Sequence, residues 1–194
     1  PYFTKKVAPP AKPAAPKTET KAATPEPAAP AATAAAATPT AGVREENFAL
    51  ETPLYKIVFS NKGGVIRSWV LKNFKDSAGK PLDLVNAKAI EKTGAPLSLA
   101  FPAQRPATDP NFQIFVHTFA PEGHGIDFEF ANSQVSVKKS FRVAPDKYRM
   151  TVKTEVLAGG AALPHNLNWR GGFGDLAAIN EAGLITGVRF ETTD

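Results

Sequence analysis

Residues 55–71 read Tyr-Lys-Ile-Val-Phe-Ser-Asn-Lys-Gly-Gly-Val-Ile-Arg-Ser-Trp-Val-Leu, and this stretch decides the fold class. Tyr55, Ile57 and Phe59 recur at period two, the spacing of one strand face. Ser60 to Gly64 supplies turn chemistry, because Gly63 and Gly64 tolerate the positive φ that tight hairpins need. The return run alternates again, with Ile66 and Val70 on one side and Val65, Trp69 and Leu71 on the other. Two alternating runs joined by a glycine turn predict a β-hairpin. Trp69 is expected to be buried in it.

The same pattern spreads outward. Leu97, Leu99 and Phe101 share one face, as do Phe112, Ile114 and Val116, and then Ile126, Phe128 and Phe130. Val135–Val143 and Tyr148–Val156 form a further pair around the turn at Ala144-Pro145-Asp146-Lys147. Ile185–Phe190 also reads as a strand. No stretch carries a helical stripe. Many short strands with Gly, Pro and Asn turns predict an all-β sandwich.

The first part of the chain has another character. Residues 1–42 hold 15 Ala and 9 Pro, and their only aromatics are Tyr2 and Phe3. Proline removes backbone donors and fixes φ, and little apolar area is available to offset ordering entropy. Residues 1–47 are therefore expected to be a disordered Ala/Pro/Lys-rich tether, with the β domain over 48–194. The net charge of +5 divides unevenly. Residues 1–42 carry five Lys and two Glu, leaving 18 basic and 16 acidic residues in the rest. That balance offers no basic stripe for a phosphate backbone, so nucleic acid is not an expected partner. With no Cys, disulfides and thiolate metal sites are excluded. No window approaches the ~18 apolar residues of a membrane span. The chain starts at Pro1 rather than Met and reads as a piece or processed product of a longer protein.

Residues 55–85, YKIVFSNKGGVIRSWVLKNFKDSAGKPLDLV, resemble the opening of the periplasmic domain of YidC-type membrane protein insertases. Residues 137–156, VKKSFRVAPDKYRMTVKTEV, are similar to a later strand–turn–strand of that family. Asn168 to Asp175 stands where the family carries a Trp/Gly-rich segment. The motif positions in these segments are Asn61, Gly63, Gly64, Trp69, Tyr148, Trp169, Gly171 and Gly172, all read as structural.

The resemblance implies a β-supersandwich like that of galactose mutarotase, here cut short of its C-terminal strands. It implies a tether following a first membrane helix outside this chain, with Pro1–Lys6 at the helix's interfacial end. It further implies a segment in the periplasm of a protein anchored in the bacterial inner membrane. That protein would insert and help fold inner-membrane proteins, alone or with the Sec translocon. The implied partners are Sec components and nascent membrane proteins.

Chemistry candidates are sparse. His117, His124 and His165 have no ligand spacing, so neither a metal nor another cofactor is expected. Asp127, Glu129 and Asp175 are the carboxylates a sugar-processing enzyme would draw on. Asp127 and Glu129 alternate with Ile126, Phe128 and Phe130, which marks a solvent face. Arg170 to Asp175 lacks the Gly-Lys-Ser/Thr ending of a phosphate loop, and reads as a turn that places Trp169 and Phe173 in the core. The expected role is an interaction and scaffolding domain without catalysis. The rival is a carbohydrate-binding or carbohydrate-active domain.

Overall fold

A computed structural model describes residues 39–174. Its first element is β1 (Asn47–Glu51), which pairs with β2 (Tyr55–Ser60). β2 turns through Asn61–Gly64 into β3 (Val65–Lys75), and β4 (Pro81–Asp83) completes a four-stranded sheet in the order β1-β2-β3-β4. After a short helix, α1 (Ala87–Thr93), come β5 (Ser98–Ala100), a 3-10 turn at Pro110–Phe112 and β6 (Val116–Phe119). β7 (Gly125–Ala131), β8 (Val135–Val143), β9 (Met150–Ala158) and β10 (Ala161–Ala162) build a second sheet in the order β10-β9-β8-β7-β6. β11 (Asn166–Asn168) pairs with β5 as a small third sheet.

The two large sheets bury their apolar faces against each other. From the first come Leu50, Tyr55, Ile57, Phe59 and Ile66; from the second, Ile126, Phe128, Phe130, Val137, Phe141, Val143 and Val156. Phe59 bridges the layers, its ring centroid 5.0 Å from Phe141 and 6.2 Å from Phe128. The period-two rows of β7 and β8 thus do what alternation predicts, because successive side chains leave a strand on opposite faces. The molecule is an all-β sandwich, and every bridge between its named strands is antiparallel.

The β2–β3 hairpin is present with an irregularity that strict alternation misses. Ile57 pairs with Trp69 but Phe59 pairs with Ile66, so β3 holds one extra residue between them. Such a bulge resets the facing of the strand. Ile66, Trp69 and Leu71 therefore all stand opposite the inward row Phe59, Ile57 and Tyr55. Alternation had put Ile66 on the side away from Trp69 and Leu71. Val70, assigned to the face of Ile66, instead pairs with the outward Lys56.

Other expectations are corrected. Phe112, Ile114 and Val116 do not share a strand. Asp109 accepts a hydrogen bond from the Asn111 N–H, and Pro110 presets φ for the tight turn, leaving Phe112 70% exposed. Ile114 makes an isolated bridge to Lys62, and Phe115, of the opposite parity, enters the core. Leu97 precedes β5 in a left-handed conformation (φ 62°) rather than extending it. α1 escaped notice because it is only seven residues long and buries none of them fully. Asn86 caps it by accepting from the Lys88 and Ala89 N–H groups, and Gly94 ends it at φ 86°.

Backbone pairing also reaches residues that precede 48. Thr40 exchanges two backbone hydrogen bonds with Ala131, and the Gly42 N–H donates to Ile114. A Cβ at Gly42 would lie 2.7 Å from the Phe115 carbonyl oxygen, so glycine lets this segment approach closely. Asn61 fastens the next part: its amide accepts from the Glu46 N–H at 2.7 Å and donates to the Arg44 carbonyl at 2.9 Å. Residues 1–38 of the expected tether, and the expected strand Ile185–Phe190, lie outside the described residues.

Candidate functional site

Period two in β8 places Val135, Val137, Lys139, Phe141 and Val143 on the inward face, and Lys139 is fully buried among them. Its Nζ donates to the carbonyls of Gly63 (2.9 Å), Gly64 (2.9 Å) and Leu97 (2.7 Å). All three acceptors belong to residues with positive φ. Left-handed backbone at these positions accompanies three carbonyls gathered on one ammonium, which matches its three donors. Desolvation pushes Lys139 down to about 7. The carbonyl acceptors favour the charged form and act in the opposite direction. Lys139 thus joins the second sheet to the Gly-Gly turn of the first and to the segment leading into β5.

Beside that segment lies a cleft of about 650 Å³. β5 and β11 form one wall, contributing Ser98, Asn166 and Asn168, while Arg105, Asp109, Arg170 and Thr93 complete it. Asn111 anchors the base as a side-chain mimic of a strand: its Oδ1 accepts from the Leu99 N–H and its Nδ2 donates to the Leu99 carbonyl. The Leu97 N–H donates to the Asn168 carbonyl at 2.7 Å. This is a polar groove of amides and guanidiniums. Its one lining carboxylate, Asp109, is already committed to the Asn111 N–H.

The motif residues fall into two groups. Gly63 and Gly64 give their carbonyls to Lys139, while Asn61, in the same turn, holds the backbone of Arg44 and Glu46. Tyr148, Trp69 and Trp169 belong to a row of rings that runs Tyr148–Tyr55–Trp69–Trp169–Phe173, with centroid steps of 6.1, 5.9, 6.3 and 4.3 Å. The Trp169 indole N–H donates to the Gly172 carbonyl, and Gly171 and Gly172 take φ values of 90° and 78°. A Cβ at Gly171 would stand 2.5 Å from the Ala89 Cβ, so glycine lets the loop close on α1. Trp169 is half-buried, at the margin of the core rather than inside it.

Trp69, expected to be buried, is also only half-buried and packs on the core from its edge. Its indole nitrogen has no acceptor among the described residues. Trp69→Ala is therefore expected to cost about 2–3 kcal/mol, below the 3–5 typical of a fully buried ring. Trp69→Phe, which keeps most of the contact and loses no hydrogen bond, should cost under about 1.5 kcal/mol. Equilibrium urea unfolding of both variants checks the order, and equal losses would refute it.

The carboxylates read as a solvent face lie on one. Asp127 receives two hydrogen bonds from Arg142, at 2.7 and 2.8 Å, which hold its carboxyl below the ordinary aspartate value. Glu129 pairs with Lys138 at 3.4 Å. Asp175 lies outside the described residues. The histidines stay apart. His117 stacks on Phe48 at 3.8 Å, and His124 sits in a turn. His165 has both ring nitrogens engaged, Nδ1 with the Leu163 carbonyl and Nε2 with the Thr154 hydroxyl. Among the described residues, no group of three or more His, Cys, Asp or Glu is placed to hold a metal.

Lys139 and Asn111 were missed by sequence reasoning. A signal for Lys139 existed, since it occupies the third place in an otherwise apolar alternating row. No local signal marked Asn111, whose partner lies twelve residues away.

Fold and groove define an all-β sandwich with a lateral polar cleft. The family model of the YidC periplasmic domain matches residues 47–169, a span that holds every named strand of the described residues, and the chain belongs to that family. Membrane protein insertase YidC of Syntrophus aciditrophicus (strain SB) is 40% identical over 63 residues, 31% of this chain and 11% of the relative. The match therefore takes in about a tenth of that relative's length. No solved structure matches.

Proposed function

We propose that this chain supplies the periplasmic interaction and scaffolding domain of an inner-membrane protein insertase, and that it performs no catalysis itself. The observation that carries the reading is the family match over residues 47–169, which spans both sheets of the sandwich. The chemistry of the cleft supports it: amides and guanidiniums suit binding, whereas acid–base catalysis needs a free, positioned carboxylate or imidazole. No helix among the described residues is long and apolar enough to cross a membrane. The insertion step would then belong to parts of the protein outside this domain. The Ala/Pro-rich composition of residues 1–38 suits a tether, which as a flexible coil would span roughly 35 Å. A domain so attached can search for partners but cannot hold a distant groove in register. The partners in this reading are Sec translocon components and emerging membrane proteins.

The test removes the domain from residue 39 onward in the full-length protein and joins the flanking parts by a short linker. Insertion of a single-span substrate is expected to persist, while co-purification of translocon components falls. Loss of insertion by a stable, correctly oriented truncation would place the domain in the central step and refute the reading.

A further inference from the structure

Two turns meet at one end of the sandwich and expose a pair of aromatic rings. Phe74, near the end of β3, is 48% exposed, and Tyr148, just before β9, is 45% exposed. The rings touch edge to face at 5.5 Å, and the Asn73 amide donates to the Tyr148 hydroxyl at 3.2 Å. Tyr148 rests in turn on the buried Tyr55, whose hydroxyl donates to the Ala144 carbonyl at 2.6 Å. The pair is thus propped from beneath and held outward.

The charges around it are unequal. Lys75 and Lys80 flank the β3–β4 turn, and Lys147 and Arg149 flank Tyr148; all four are exposed and make no ion pair among the described residues. Two acids share the tip. Asp76 turns its carboxylate inward to accept from the Ala78 and Lys80 N–H groups, which makes that turn rigid, and Asp146 is exposed. The result is a small apolar point ringed by unpaired cations.

We propose that the Phe74–Tyr148 tip docks on the headgroup region of an anionic lipid surface. Aromatic rings partition to the headgroup level, and exposed Lys and Arg are drawn to acidic lipids. Charge complementarity selects the lipid: the four cations need an anionic partner. The inference rests on the reading of this chain as a domain held beside an inner membrane.

The experiment sediments the chain with phosphatidylcholine vesicles, with and without phosphatidylglycerol. Binding is expected only to the anionic vesicles, and added salt should release it. Each cation removed should weaken binding about five-fold, so Lys75→Glu with Lys147→Glu should lose at least twenty-five-fold. Phe74→Ser with Tyr148→Ser should weaken it with the charges intact. A Phe74→Trp reporter should shift its emission to the blue on binding. Absence of binding, equal binding to neutral vesicles, or variants that bind like the parent would each overturn the proposal. So would concentration-dependent dimerisation abolished by the same variants, which would assign the tip to a second copy. None of these outcomes bears on the deletion test, so the two readings fail separately.

Discussion

Lys139→Ala is expected to destabilise the domain by about 3–5 kcal/mol, from three buried carbonyls left without a donor and the cavity beside them. The change strips the donor from three carbonyls, those of Gly63, Gly64 and Leu97, and opens a cavity between the sheets. Lys139→Met keeps most of the volume and isolates the polar loss, so it should cost less, about 2–3 kcal/mol. A pH series adds the sign. The folded group lies near 7, below the ordinary lysine value, so between about pH 7 and 10 the unfolded chain holds more protons. Stability from this group should therefore rise with pH through that window and fall away as pH drops through 7. The parent's advantage over Lys139→Met, measured by urea unfolding at several pH values, should grow accordingly. A flat difference would mean that the carbonyls keep the ammonium at its ordinary value.

Phe59→Ala should be nearly as costly, at about 3–5 kcal/mol. The ring is fully buried and lies within 5.0 Å of Phe141 and 6.2 Å of Phe128, so it couples the two sheets rather than filling one. Neither neighbour can collapse freely into the gap, since each is fixed in a paired strand of its own. The urea midpoint should fall while the slope stays constant, because the surface exposed on unfolding is nearly unchanged. A loss below about 1 kcal/mol would mean that the sheets are not held together through this ring.

Alternation alone determined most of the sandwich. Ile126, Phe128 and Phe130 in β7, and the Val135–Val143 and Tyr148–Val156 runs, could be placed on the core face because a strand's period is fixed by covalent geometry, except that Tyr148 precedes β9 and stays exposed. Gly63 and Gly64 marked the hairpin because they relieve a local steric restriction. The aromatic and glycine motif also sufficed to suggest the family. What the residues could not convey was anything set by distant partners. The extra residue in β3 makes Ile66 and Trp69 face the same way, and only the register against β2 reveals it. Phe112 leaves the core because Asp109 and Pro110 bend the chain before it, while Phe115 takes the inward place. That Lys139 can sit buried as a hub depends on three carbonyls from segments at least 42 residues away. The cleft is likewise assembled from β5, β11 and the loop around Arg105, so its lining is an outcome of tertiary packing. Local sterics can be read one residue at a time, whereas a buried charge or a groove exists only after non-adjacent backbone has been brought together.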